Sequence, residues 1–445
     1  MEERIKSMDR KDIVTNEASE KEQYAGLPEN IQKKLEWFKD QKLGIIFHWG
    51  LYAEAGIVES WQLSEEDDWA RKRGGWRPTV EQIREDYWAL NKVFNPTQFN
   101  PEEWAEASKN AGFKYMIFTT KHHDGFNMYD TAYSDYKITQ EDSPFHDHPK
   151  ADIFKEVAEA FREKGLAVGA YYSKADWYSP YYWVPGQHAK GRTASYNPKD
   201  DPETWNKFKE FTHNQLTELA KNYGPIDITW LDAGWVRDGR TNEDLDMDEI
   251  ARKMREYNPD MLMVDRSVGG EHENYVTPER KIPEVAPSKA WESNIPHGKN
   301  WGYVPNEVYK SDEEILQSIV KVVAMGGNLI IGVGPKPDGT LPEKALELLE
   351  TMGTWLDKYG EGIYDTRPYK INSIGNWHFT EKEDAIYAFC LPEENETPLD
   401  LTMLKLEEGY SVEDMETNQR VNVSDDSLVH KGENIKAYKI IKGRS

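Results

Sequence analysis

Six polar side chains stand at the ends of short apolar runs: His48, His122, His123, Tyr172, Asp232 and Arg266. Asp232 has the most pointed context. The run Ile226-Asp227-Ile228-Thr229-Trp230-Leu231 ends on it, and Ala233-Gly234-Trp235 follows at once. In an α/β chain, a carboxylate at the C-terminal tip of a buried strand sits where such folds place their chemistry. A single Asp there also serves as a helix cap, and a single His beside an apolar run is commonly structural. Recurrence at successive tips is what favours a shared site.

Two chemistries suit these residues. A metal hydrolase would use imidazole and carboxylate as ligands. His122 and His123 are adjacent, however, and an extended segment sends neighbours to opposite faces, which argues against one coordination shell. A glycosidase needs two carboxyl groups, one ionised to attack and one protonated to release the leaving oxygen. Asp232 supplies the first, and Glu279 or Glu292 the second. The histidines then bind sugar hydroxyls, and Arg266 or a tryptophan shapes the pocket.

The elements that must position these groups alternate. A short helix, Pro28 to Asp40, precedes the strand Leu43 to Phe47. Asn100-Pro101 opens a helix with a cap and an N1 proline, and Ser311-Asp312-Glu313-Glu314 is a capping box. Further strands are expected at 114–120, 167–172, 226–231, 261–264 and 327–334, each separated by amphipathic helical sequence. The stretch from Glu59 to Asn95 reads as a charged, Trp-rich surface excursion beside a strand tip, which either walls the site or packs as solvated loop, and 269–303 reads as loop-rich. Strand–helix alternation implies a parallel sheet, and about seven repeats suit an irregular (β/α) barrel, TIM-like, over 26–366. Short alternating runs over 367–445 predict a small antiparallel β-sandwich. Residues 1–25 read as a polar, flexible arm.

Composition bounds the partners. The 445 residues carry 80 acidic and 55 basic side chains, a net charge of -25, which disfavours nucleic acid or an anionic membrane. No run approaches a membrane span, and the charged N-terminus has no apolar signal core. The compartment stays open: cytoplasmic if the sequence is complete, secreted or periplasmic if a signal has been removed. One cysteine, Cys390, excludes an internal disulfide. Sixteen Trp, 24 Tyr and 14 Phe lean towards a carbohydrate ligand, whose C–H faces pack on rings.

The blocks FHWG, TTKHHDGF, YYSKADW, YGPIDITWLDAGW, WES…NWGY and MGGNLIIGVGPKPDGTLP, in that order, resemble family 29 α-L-fucosidases over roughly residues 35 to 370. The resemblance implies a retaining exo-glycosidase with an irregular barrel and a C-terminal β-sandwich, no cofactor or metal, fucosylated glycans as substrate, and frequent homo-oligomers. It makes Asp232 the nucleophile. It places His48, His122, His123, Tyr172, Arg266 and Trp301 around the sugar, with Trp49 and Trp230 among the pocket aromatics. Glu292 in the intact WE block is the preferred acid/base, and Glu279 in TPER the alternative. The family's AEWY-like block reads GIVESWQLSEEDD here, so Glu59 and Trp61 are its nearest equivalents, and LDAGW replaces the commoner FDG pattern. Other readings are a related glycosidase on a galactoside-like sugar and an inactive fucose-binding protein.

Overall fold

The computed structural model describes residues 26–266, 272–406, 408–423 and 426–443. The arm expected at 1–25 lies outside them. Seven parallel strands form the central sheet: β1 (Leu43–Phe47), β2 (Tyr115–Lys121), β3 (Ala167–Ser173), β4 (Ile228–Asp232), β5 (Leu262–Asp265), β6 (Glu292–Pro296) and β7 (Asn328–Val333). Their order is β5-β4-β3-β2-β1-β7-β6, so β5 and β6 are the two edges of a curled sheet.

A single extended segment fills the seam between those edges. On one side, Asn274 donates its backbone N–H to Met263 O (2.8 Å) and accepts the Met263 N–H on its side chain (2.7 Å). On the other side, Val276 and Glu279 bridge in parallel to Trp291 and Asn294 of the β6 region. The barrel is therefore closed by loop backbone where a regular strand would stand. Residues 272–303 are loop-rich as expected, 269–271 lying outside the described residues, but they also hold a strand that the sequence did not predict, β6. Its sequence, Glu292-Ser293-Asn294-Ile295-Pro296, lacks the β-branched run that marks the other strands, yet every residue is buried.

Strand alternation separates two cores. Ile46, Tyr115, Ile117, Tyr171, Ile228, Trp230, Leu262, Val264 and Ile330 fill the barrel interior. The helix Glu29–Gln41 closes its lower end, with Phe38 stacked on Tyr275 at 4.2 Å. The alternate positions, among them Phe47, Phe118, Val168, Tyr172, Leu231 and Ile331, face the outer helices. Two of those helices begin where the sequence places their caps, Asn100 before Pro101–Asn110 and the full capping box at Ser311, and Asp201 caps Pro202–Asn222 in the same way.

The chain then enters an antiparallel β-domain from β8 (Arg367–Ile374) to β15 (Lys436–Ile441). A six-stranded sheet and a two-stranded sheet enclose Trp377, Phe379, Ile386, Leu399, Leu428 and Ile440. The opposite face of the larger sheet packs on the barrel, where Phe389 meets Trp355 at 6.2 Å. No helix among the described residues is long and apolar enough to cross a membrane.

Candidate active site

Asp232 ends β4 at the C-terminal mouth of the barrel. The next residue, Ala233, turns the chain with φ 68, a left-handed conformation that a small side chain tolerates at modest cost. Both carboxylate oxygens of Asp232 are engaged. Oδ1 accepts from Arg266 Nη1 at 2.8 Å, and Oδ2 from the Tyr171 hydroxyl at 2.5 Å. Burial alone would raise its pKa, but the Arg266 guanidinium and the Tyr171 hydroxyl outweigh it and hold the group well below the usual carboxylate range. Asp232 is thus a fixed anion, with 14% of its side chain exposed into the mouth.

The other arm of Arg266 holds Glu279, whose Oε2 accepts from Nη2. Glu279 Oε1 accepts from Trp301 Nε1 at 3.2 Å. One guanidinium therefore bridges two carboxyl groups at the mouth, and 22% of the Glu279 side chain is exposed. Burial pushes Glu279 up, but Arg266 and Arg280 outweigh it, so the ligand-free group lies below an ordinary glutamate.

Glu292 occupies a different place, and the preference for it as proton donor is corrected. It opens β6 at the lower end of the barrel, is 0% exposed, and accepts from Tyr115 OH (2.6 Å), Asn294 Nδ2 (3.1 Å) and Trp230 Nε1 (3.3 Å). Burial raises its pKa to about 7, a value that would suit a general acid. Reach comes before acidity, however: a donor must touch the leaving oxygen. The pairing of β6 with the seam segment shows why the two glutamates diverge. Glu292 donates its N–H to Val276 O, whereas Glu279 lies opposite Asn294, further towards the mouth.

Three imidazoles surround Asp232. The expectation that His122 and His123 face opposite ways is corrected: β2 ends at Lys121, the chain turns, and their rings sit 4.2 Å apart on one side. His123 Nε2 lies 3.8 Å from Asp232 Oδ2. Its tautomer follows from its neighbour. Ser173 Oγ spends its proton on Ala175 O (2.7 Å), so it accepts the His123 Nδ1–H (2.6 Å), leaving Nε2 as a buried lone pair with no hydrogen-bond partner among the described residues. His122 Nδ1 pairs with Ser60 Oγ at 2.6 Å. Burial lowers His122 to about 4 and holds His48 and His123 well below the usual histidine value, so all three are neutral at pH 7.

The donor atoms of His122, His123 and Asp232 lie within 4.8 Å of one another, a spread that a metal could draw together. Such an ion would have to share Asp232 with the Arg266 cation and the Tyr171 hydroxyl, which already take one oxygen each.

Aromatic rings form the walls. Trp61, Trp235 and Trp177 surround His123 with centroids at 4.8, 5.0 and 5.3 Å. Trp301 stacks on His48 at 5.0 Å, and Trp230 lies beneath Tyr171 at 5.5 Å and Arg266 at 5.0 Å. Gly332 makes room for Trp301, since a Cβ there would lie 2.5 Å from its ring. Glu59 is buried and accepts the backbone N–H groups of Trp301 and Gly302, both at 2.8 Å, so it anchors the Trp301 loop. With Glu59, Ser60 and Gln62 all buried, the start of the 59–95 stretch belongs to the site wall, not to a solvated loop.

Two further expectations are corrected. Tyr172 points away from the mouth, donating to Gln215 (2.8 Å) and accepting from Lys121 (2.9 Å) beneath the helix layer. Its neighbour Tyr171 takes the pocket position, by strand parity. Trp49 packs with Phe94, Phe99 and Trp104 on the outer side of β1. Sequence reasoning missed Tyr171, Ser60, Ser173 and Trp235. Tyr171 shares strand parity with Ser173, which turns to His123, but that parity has no meaning in the sequence until the inward face of β3 is known.

A barrel whose mouth pairs an ionised aspartate with a second carboxyl group, among neutral imidazoles and indoles, is the architecture of a glycoside hydrolase. The model of the α-L-fucosidase family matches residues 13–361, and the chain belongs to that family. It is 27% identical over 374 residues to the human tissue α-L-fucosidase, covering 80% of this chain and 75% of that one. Among solved structures it resembles α-L-fucosidase isoenzyme 1 from Paenibacillus thiaminolyticus, with TM-score 0.78 and 27% identity over 93% of this chain and 100% of the other. The Thermotoga maritima α-fucosidase in complex with a mechanism-based inhibitor gives TM-score 0.71 and 26% identity, over 92% and 96%.

Proposed function

We propose that the chain is a retaining exo-α-L-fucosidase that removes terminal α-L-fucose from glycans, with Asp232 as nucleophile and Glu279 as acid/base. The observation that carries this reading is the shared guanidinium: Arg266 holds both carboxyl groups at the mouth. Retaining enzymes keep their two carboxyl groups about 5 Å apart so that one can attack while the other serves the leaving group. Family membership supplies the sugar, and the mechanism-based inhibitor held by the Thermotoga maritima relative fits a reactive enzyme group.

Asp232 Oδ2 attacks the anomeric carbon as the glycosidic bond breaks, and Glu279 gives its proton to the departing oxygen. Glu279 then takes a proton from water as that water displaces Asp232, so configuration is retained. His123 Nε2 accepts a hydrogen bond from a sugar hydroxyl; His48 and His122 read neighbouring hydroxyls, and Trp301, Trp61 and Trp235 offer apolar faces. Glu292, Trp49 and Tyr172 have no contact role in this scheme.

Aryl α-L-fucosides are expected to turn over and aryl β-D-galactosides poorly. Asp232→Ala should lose several orders of magnitude, and Glu279→Ala about 10²–10⁴-fold. Azide should rescue Glu279→Ala as α-fucosyl azide and Asp232→Ala as the β anomer. Rescue of Glu292→Ala in place of Glu279→Ala would overturn the acid/base assignment, and faster galactoside turnover would overturn the sugar.

A further inference from the structure

The barrel interior carries a buried carboxyl group that the proposed chemistry leaves idle. Glu292 makes no ion pair among the described residues, and its three donors are neutral: the Tyr115 hydroxyl, the Asn294 amide and the Trp230 indole. Burying a carboxyl group without a cation is costly, so its place at the bottom of the barrel calls for a reason.

The indole supplies one. Trp230 stands between Glu292 below and the catalytic groups above. Its ring stacks on Tyr171 (5.5 Å, 17° between planes), and Tyr171 donates to Asp232 Oδ2. The same ring lies 5.0 Å under the Arg266 guanidinium, which holds Asp232 Oδ1 and Glu279 together. Among the described residues, both donors bonded to Asp232 therefore rest on Trp230, and the Trp230 N–H is tied to Glu292. An indole free to rotate about its χ angles would carry both supports with it. A hydrogen bond from its N–H to a carboxyl group also enriches the ring in electron density, which strengthens the attraction to a cation above it.

We infer that Glu292 is a positioning residue: it fixes the Trp230 indole, and through that ring it sets the placement of Arg266 and Tyr171 on Asp232. This rests on Asp232 being the nucleophile, which the azide experiment tests separately. Glu292 touches neither substrate nor reacting atoms in this role, so its loss should act on kcat with little change in KM. A proton donor would behave otherwise, because its loss depends on the leaving group.

The test is a mutant cycle on an aryl fucoside series. Glu292→Gln and Trp230→Phe are each expected to lower kcat about 10–100-fold, equally for good and poor leaving groups, with KM within about threefold. The double variant should be no slower than Trp230→Phe alone, because both changes cut one link. Multiplying losses would overturn the proposal, as would a Glu292→Gln defect that grows with leaving-group pKa. Should Glu292→Gln fail to fold, Trp230→Phe still decides: it keeps an aromatic ring, though a smaller one, and removes the N–H, and unchanged kcat would overturn the link. The indole N–H resonance absent from Trp230→Phe spectra should shift in Glu292→Gln; an unmoved resonance would contradict the bond.

Discussion

The two adjacent tyrosines of β3 differ only in parity, yet one holds the nucleophile and the other holds the helix layer. Tyr171→Phe removes a donor to Asp232 Oδ2, leaving Arg266 to stabilise the anion alone; kcat is expected to fall about 10-fold or more, with the fold intact. Tyr172→Phe unsettles a buried network of Lys121, Gln215 and Asp176. It should cost about 1–3 kcal/mol in urea unfolding and leave kcat nearly unchanged. Equal kcat losses from both would contradict the parity argument. Acidity gives a second prediction at this scale. Glu279 must be protonated to act first as an acid, but Arg266 keeps it below the ordinary glutamate range in the free enzyme. The competent fraction therefore falls as pH rises through and above that pKa. Since kcat/KM reports free-enzyme groups, it should decline steadily from about pH 5 towards pH 8; a flat profile would contradict the assignment. Asp232 and the histidines were legible because they end apolar runs or sit one turn past them. Tyr171 was not, because parity cannot be counted until the strand's inward face is known. The preference for Glu292 followed an intact motif, and a motif carries no information about height within a barrel.

At the scale of elements, the strands rich in β-branched and aromatic residues were readable, and so were the helices with polar caps. The closure of the barrel was not. β6 and the segment 274–280 carry polar side chains because they build a seam and a site, so they lack the apolar signature on which strand recognition rests. This seam is also what carries Glu279 to the mouth. Asn274 pins its start to β5, its side-chain oxygen accepting from both Met263 N and Arg255 Nη2 (3.1 Å). Asn274→Ala would leave the edge N–H of Met263 without that acceptor in a buried place, at about 1–3 kcal/mol. Because the segment also positions Glu279, we expect kcat to fall alongside the urea midpoint, more for aryl fucosides with poor leaving groups than for activated ones. A variant that loses stability but keeps its leaving-group dependence would mean that Glu279 is placed by Arg266 alone.

The whole molecule joins a barrel that holds every candidate site residue, between His48 and Trp301, to a β-domain that contributes none of them. The two share apolar surface: Phe389 packs against Trp355 and presses on Gly362, where an added Cβ would lie 2.9 Å from its ring. Around that contact, Glu361 accepts from Tyr387 OH (3.0 Å) and Lys439 Nζ (2.6 Å). The polar pair is half-exposed and worth little, on the order of 1 kcal/mol or less. The buried ring is worth far more, since truncating a core phenylalanine costs about 3–5 kcal/mol. Phe389→Ala should therefore lower the urea midpoint of the barrel as well as of the β-domain, whereas Glu361→Gln should barely move it. Neither substitution touches the mouth, so kcat per folded molecule should stay within about twofold of the parent for both. Two separate unfolding transitions, with only the second shifted by Phe389→Ala, would show that the β-domain stands beside the barrel without supporting it. A loss of kcat at unchanged stability would show instead that the domain interface reaches the site through the helix Glu343–Tyr359 and the β7 strand that precedes it.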